Sequence, residues 1–256
     1  MRRVRRLVRS AWAKAPPGVK RMYARLPSRL TASVRAKLWS TSDTAELTRA
    51  YIERHGLEVR RGPLKGLSYP PDLVGKVDAL VPKLIGSYEA ELHEPLERLL
   101  SPSVVNIGSA DGYYAVGLAR LGLRVRAFDP DRTGQETTLR LAEHNGVTVT
   151  VSGAFKPETL RDLDDGTALI ICDCEGCEAN VLQPDVLRDC NLIVELHDFV
   201  KPGLGDQVVK RFSSTHDIEV IPQRPRDTST FQKWRDYPIP SLQSRRAGRS
   251  KCGGPS

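Results

Sequence analysis

Val104-Val105-Asn106-Ile107-Gly108-Ser109-Ala110-Asp111-Gly112-Tyr113-Tyr114 runs from a short apolar stretch through two glycines into a segment of helical pattern. Gly108 and Gly112 supply the tight turn and the close backbone approach that a nucleotide-like ligand needs, with a helix N-terminus beside them. The spacing is G-x-x-x-G. Ala110 and Tyr113 occupy the second and third glycine places of the dinucleotide fingerprint, which disfavours a nicotinamide cofactor. Twenty-one residues beyond Gly108 the next apolar run closes with Phe128-Asp129-Pro130. An acid at about that distance accepts hydrogen bonds from ribose hydroxyls in folds of this kind. Taken singly, the glycines serve any strand-to-helix turn and Asp129 serves as a helix cap. Together they point to a nucleoside-binding site.

Outward from this turn, short apolar runs alternate with helical patterns. Strands are expected at Ser103–Ile107, Leu123–Asp129, Val147–Val151, Thr167–Asp173 and Asn191–His197, and helices at Gly112–Leu121, Arg132–His144, Pro157–Leu163 and Glu178–Leu187. Strand, helix, strand at this spacing predicts right-handed βαβ units. The fold class is therefore α/β, a Rossmann-like, doubly wound, mostly parallel sheet whose ligands lie at the carboxyl ends of the strands. A further helix and a strand pair, near Asp217–Ile221 and Thr228–Trp234, are expected to follow Val200-Lys201-Pro202-Gly203.

The glycine turn, Asp173-Cys174-Glu175-Gly176-Cys177-Glu178 and Val194-Glu195-Leu196-His197 together resemble the FkbM-type family of S-adenosylmethionine-dependent methyltransferases over residues 103 to 198. The Asp-x-Glu-Gly-x-Glu element is the most specific part. The resemblance implies a class I methyltransferase fold that transfers the methyl of S-adenosylmethionine, usually to oxygen of a small metabolite or glycan. It places cofactor contacts on Asn106, Gly108, Ser109, Ala110, Asp111, Gly112, Tyr113, Asp129, Gly153 and Ala154. Two departures stand out: Asn106 holds a place where the family usually has an acid, and Asp129 replaces the common Glu. Both keep hydrogen-bonding capacity.

Methyl transfer from a sulfonium is an in-line displacement, so the protein aligns acceptor, methyl and sulfur and takes a proton from a hydroxyl acceptor. Asp173, Glu195 and His197 fall at the carboxyl ends of the fourth and fifth expected strands and are the catalytic candidates. His197 is the preferred base because its ordinary pKa of ~6.5 lies nearest neutrality; a histidine bonded to a loop is the plain alternative. The same Asp173, Glu195 and His197 form an oxygen and nitrogen set able to hold Mg or Mn, and a structural carboxylate network would use the same residues. Tyr88 and Glu89, in the segment leading into the core, and Glu175 are the acceptor-side candidates. Glu175 and Glu178 also meet the dipole of the helix that follows.

Charge is divided unevenly along the 256 residues, whose net formal charge is +8. The first forty carry twelve Arg and Lys and no acid, which leaves 27 basic against 31 acidic side chains beyond them. The positive charge is thus an appendage, and a nucleic-acid enzyme is disfavoured. Val4, Leu7, Val8 and Trp12 follow helical spacing, so residues 1–42 are expected to form a basic amphipathic helical extension, suited to an anionic membrane surface or a partner, or simply solvated. Residues 43–101 form a helical and hairpin lead-in, 102–240 the methyltransferase core, and 241–256 a disordered basic tail. Five cysteines, an odd number without a spaced framework, read as reduced thiols of a cytosolic protein. A zinc reading of Cys174 and Cys177 lacks a second ligand pair. The rival functions are a degenerate methyltransferase fold used for binding, and an NAD(P)-dependent oxidoreductase. The oligomeric state and the acceptor are not encoded in any motif.

Overall fold

The computed structural model describes residues 6–11, 43–162, 167–198 and 200–222. Strand β1 is Arg6–Ala11, and the lead-in contains α1, Asp43–His55, followed by α2, Leu80–Ile85, and α3, His93–Leu99. An isolated antiparallel bridge between Glu58 and Ser68 forms the short hairpin expected between them. Then come β2, Ser103–Ile107; α4, Tyr113–Arg120; β3, Arg124–Phe128; α5, Arg132–His144; and β4, Thr150–Ser152. The chain continues with β5, Leu169–Cys172; α6, Glu178–Val181; α7, Pro184–Leu187; β6, Asn191–Leu196; α8, Leu204–Phe212; and β7, Asp217–Pro222. Among the described residues no helix is long and apolar enough to cross a membrane.

The strands form one sheet in the order β4-β3-β2-β5-β6-β1-β7, with every pairing parallel. Its β4-to-β6 part is a doubly wound α/β sheet, whose order reverses between β2 and β5. Every residue of β2 and β5 is buried, as expected of parallel strands covered on both faces. Val105, Ile107, Ile170, Leu192, Val194 and Phe212 belong to one buried cluster beneath the site.

Local chemistry accounts for most boundaries. Asp131 caps α5 by accepting a hydrogen bond from the Thr133 N–H at 3.0 Å, so the helix begins at Arg132 as its sequence requires. The single helix expected over Glu178–Leu187 is instead two short ones, because Pro184 interrupts the pattern and starts the second. Pro157–Asp162 is a 3-10 helix rather than an α-helix. The lead-in is tied to the core: Asn145, at the end of α5, accepts from the Ser68 N–H at 3.0 Å and donates to its carbonyl at 2.8 Å. Gly117 of α4 leaves room for Leu64, whose Cδ1 would lie 2.7 Å from a Cβ there.

The basic head is where sequence and structure part. Arg6–Ala11 is a strand between β6 and β7, not the first turns of an amphipathic helix. A lone helix broken by Pro16-Pro17 is marginal in water, whereas the gap between β6 and β7 offers hydrogen bonds along both edges of this segment. Leu7 and Val8, two of the four apolar positions of the expected helical face, are thus strand residues. The remainder of the head lies outside the described residues. So do the expected strand Thr228–Trp234 and the tail 241–256.

Candidate active site

The turn after β2 is built by backbone packing. Gly108 has φ +79°, and a Cβ there would lie 1.7 Å from the Asp173 carbonyl oxygen, so only glycine lets β2 and β5 meet at this end. Gly112, at φ +84°, faces α5: a Cβ would stand 3.0 Å from Thr138 Cα and 3.1 Å from its Oγ1. Both glycines are therefore demanded by the protein's own backbone before any ligand is considered. Gly108→Ala is expected to cost about 2–4 kcal/mol, since strain at positive φ adds to a main-chain clash. Urea unfolding checks this, and a wild-type midpoint would mean that the β5 end yields freely.

Asp129, at the end of β3, points back into the turn. Its Oδ2 accepts from the Ala110 N–H at 2.7 Å and its Oδ1 from the Asp131 N–H at 2.8 Å. Burial raises its pKa against those two hydrogen bonds. Gly134 of α5 permits this approach, since a Cβ there would lie 2.9 Å from the Asp129 carboxyl carbon. Ser109 is buried and shares a 3.3 Å contact with the Thr138 hydroxyl, while Gly153, after β4, has open space at its Cβ position. Ala154 is exposed beside it.

Asp111 has partners that the sequence did not announce. Its carboxylate accepts from Lys83 Nζ at 2.8 Å and from the Tyr69 hydroxyl at 3.1 Å, and all three side chains are buried. The lysine also lies 4.8 Å from the centre of the Tyr88 ring and 5.4 Å from that of Tyr113. A lysine inside the apolar run Val81-Pro82-Lys83-Leu84 was the available signal. Tyr88 stacks edge-on against Tyr113, and the Tyr114 hydroxyl donates to Glu89. Tyr88 and Glu89, two of the three acceptor-side candidates, thus stand against the start of α4.

At the ends of β5 and β6 the structure assembles a carboxylate and imidazole cluster. His197 is buried, with Nδ1 2.7 Å from Glu178 Oε1 and Nε2 3.4 Å from Asp173 Oδ1 and 3.5 Å from Glu175 Oε2. Glu178 also accepts from the Gly176 N–H at 3.1 Å. The role read for Glu178 from sequence, meeting a helix dipole, is secondary to its grip on the histidine. Burial opposes charge on His197, but the hydrogen bond to Glu178 and the charges of Asp173 and Glu175 outweigh it and raise the pKa. Burial and then the charge of Glu89 push the Asp173 carboxyl up to about 7, against the pull of His197. Burial and Asp173 push Glu195 up to about 10, so it keeps its proton at neutral pH and shares a hydrogen bond with Asp173.

The donor atoms of Asp173, Glu175 and His197 all lie within 4.8 Å of one another. This differs from the expected set in that Glu175 replaces Glu195. Strand alternation places Glu195 and His197 on one face, but the left-handed turn after β5 brings Glu175 closer. Three non-glycine residues with positive φ border the site, Glu89 at 45°, Ala110 at 47° and Glu175 at 56°. Strained backbone of this kind gathers where surrounding structure fixes it for a purpose.

The cysteines correct a further expectation. Cys174 and Cys177 are joined by a disulfide, so not all five are reduced thiols. Glu175 and Gly176, at φ 56° and 104°, turn the chain so that the flanking Cα atoms lie 5.5 Å apart, within disulfide range. Cys172 and Cys190 are buried free thiols, and Cys252 lies outside the described residues.

No protein-family model and no curated protein sequence matches the chain. Three methyltransferases are among the solved structures it is similar to. The tRNA (uracil-54, C5)-methyltransferase of Pyrococcus abyssi, in complex with S-adenosyl-L-homocysteine, is 21% identical over 60% of this chain and 33% of its own, at a TM-score of 0.31. An O-methyltransferase from Bacillus cereus in complex with SAH is 14% identical over 59% and 64%, at 0.28. Coclaurine N-methyltransferase bound to N-methylheliamine and SAH is 20% identical over 60% and 48%, at 0.29. The chain spans from one third to just under two thirds of the length of these three. At such scores the fold stands on strand order and pairing, not on these likenesses.

Proposed function

We propose that the chain is an S-adenosylmethionine-dependent methyltransferase that modifies a hydroxyl of a small molecule or glycan. The observation that carries the reading is one of placement. The glycine turn, Asp129 and the Asp173–His197 cluster lie at the carboxyl ends of adjacent parallel strands, beside the point where strand order reverses, which is where this architecture binds ligands. Each Asp129 oxygen spends one lone pair on a backbone N–H and keeps one for a ribose hydroxyl.

In the reaction, the acceptor oxygen forms a bond to the methyl carbon as the carbon–sulfur bond breaks. S-adenosylmethionine, held by the glycine turn and Asp129, would supply the methyl and retain the electron pair of the broken bond as a neutral thioether, and the hydroxyl proton passes to the Asp173–His197 pair. Glu178 holds the imidazole, Asp173 orients the acceptor, and Tyr88 and Glu89 border the acceptor side.

Calorimetry with S-adenosylmethionine tests the cofactor half of the reading. Asp129→Ala is expected to weaken binding by about 1–3 kcal/mol, the scale of a hydrogen bond to a charged group. Equal affinity in that variant would reduce Asp129 to a brace of the turn, and preferential binding of a dinucleotide would overturn the reading. Transfer of label from S-adenosylmethionine to fractionated extract tests the acceptor half. Cofactor binding without any labelled product identifies a binding protein on the same fold.

A further inference from the structure

We propose that Asp173, Glu175 and His197 form a binding site for one divalent cation of borderline hardness, such as manganese(II) or zinc(II), with Glu178 as the outer partner that aims the histidine. His197 Nδ1 is committed to a fully buried carboxylate, so Nε2 is the nitrogen turned toward Asp173 and Glu175. That is the arrangement in which a metal-binding histidine is fixed by a carboxylate behind it. Donor atoms at these separations can each reach the ~2.0–2.6 Å at which nitrogen and oxygen hold such ions.

One buried acceptor within the set is an independent sign of a cation. Asp173 Oδ1, 3.4 Å from His197 Nε2, is buried and accepts no hydrogen bond. Buried polar atoms ordinarily find partners, and an acceptor without a donor beside a further carboxylate calls for positive charge rather than for more acceptors. Among the described residues, Asp173, Glu175 and Glu178 have ion pairs only with His197, while the nearby Lys83 is paired to Asp111. Glu175 is largely exposed, which opens one side of the site to an entering ion and leaves coordination positions free. One nitrogen and two carboxylates suit manganese(II) or zinc(II) better than magnesium, which prefers oxygen alone. The Cys174–Cys177 disulfide brackets Glu175 and holds this arm of the site in its turn.

The proposal rests on the methyltransferase reading only for what the ion would do there, which is to lower the pKa of an acceptor hydroxyl in place of proton transfer to His197, whose Nε2 the ion would occupy. Ion binding is measured apart from turnover. Titration of the full chain with manganese(II), followed by loss of the free-ion electron paramagnetic resonance signal, is expected to show one site. Glu175→Gln, at an exposed position, and Glu178→Gln are each expected to weaken binding about 10–100-fold. Glu143→Gln, on the far end of α5, is expected to leave it unchanged. Selective broadening of the His197 imidazole resonance by bound manganese provides a reading that a merely structural histidine would not give. Absence of binding by both manganese and zinc, or unchanged affinity in Glu175→Gln, overturns the site even if methyl transfer is found. Intact metal binding without methyl transfer leaves the site standing and sinks the enzymatic reading instead.

Discussion

Deletion of residues 1–11 is expected to lower the melting temperature by about 10 °C or more, and to strip β7 of its amide protection. β1 pairs with β6 at five positions and with β7 at six, and among the described residues no other strand lies beside β7. Each lost backbone hydrogen bond removes about 0.5–1.5 kcal/mol net, so two ladders amount to several kcal/mol, at about 2–4 °C for each in a chain of this size. Hydrogen exchange should therefore find Asp217–Pro222 exposed while Leu169–Cys172 stays protected. A single Val8→Pro substitution should act in the same direction, because proline inside an interior strand removes a ladder donor. Unchanged melting and an intact β7 in the deletion variant would mean that the strand is dispensable.

Lys83→Met is expected to cost about 3–5 kcal/mol, the scale for removing one member of a buried ion pair. Asp111 would be left charged, buried and supported only by the Tyr69 hydroxyl. The double variant Lys83→Met with Asp111→Asn should recover much of the loss, since it no longer strands a charge. Denaturant unfolding of the three proteins decides it. A Lys83→Met variant within about 1 kcal/mol of wild type would show that water reaches Asp111.

The parallel core from β2 to β6 could be read from sequence because period and punctuation agreed. Apolar runs such as Leu169–Cys172 are continuous, as strands covered on both faces require, and Asp131 announces α5 by a cap. The residues of the site were legible as a set, since topology alone puts the ends of β2, β3, β5 and β6 side by side. Their pairings were not. That Gly108 serves the Asp173 carbonyl and Gly112 serves Thr138 depends on close backbone approach between distant segments. Glu175 joins His197 through a left-handed turn that strand alternation does not describe.

The basic head misled for a related reason. Its periodicity fits a helix, yet tertiary demand at the gap between β6 and β7 overrides a local preference of this size. The disulfide was missed because cysteine spacing was weighed against zinc frameworks, whereas the bond depends on the turn that Glu175 and Gly176 make.

The position of β1 bears on the order in which the protein can assemble during translation. Its two partners lie about two hundred residues downstream, so β1 emerges from the ribosome long before either neighbour exists. The units from β2 to β6 close over short stretches of chain and can form as they are made, while the β1 ladders must wait until β6 and β7 have been made. Until then β6 presents an open edge to other nascent strands. The first strand of the sheet to be synthesised is therefore the one whose docking completes it.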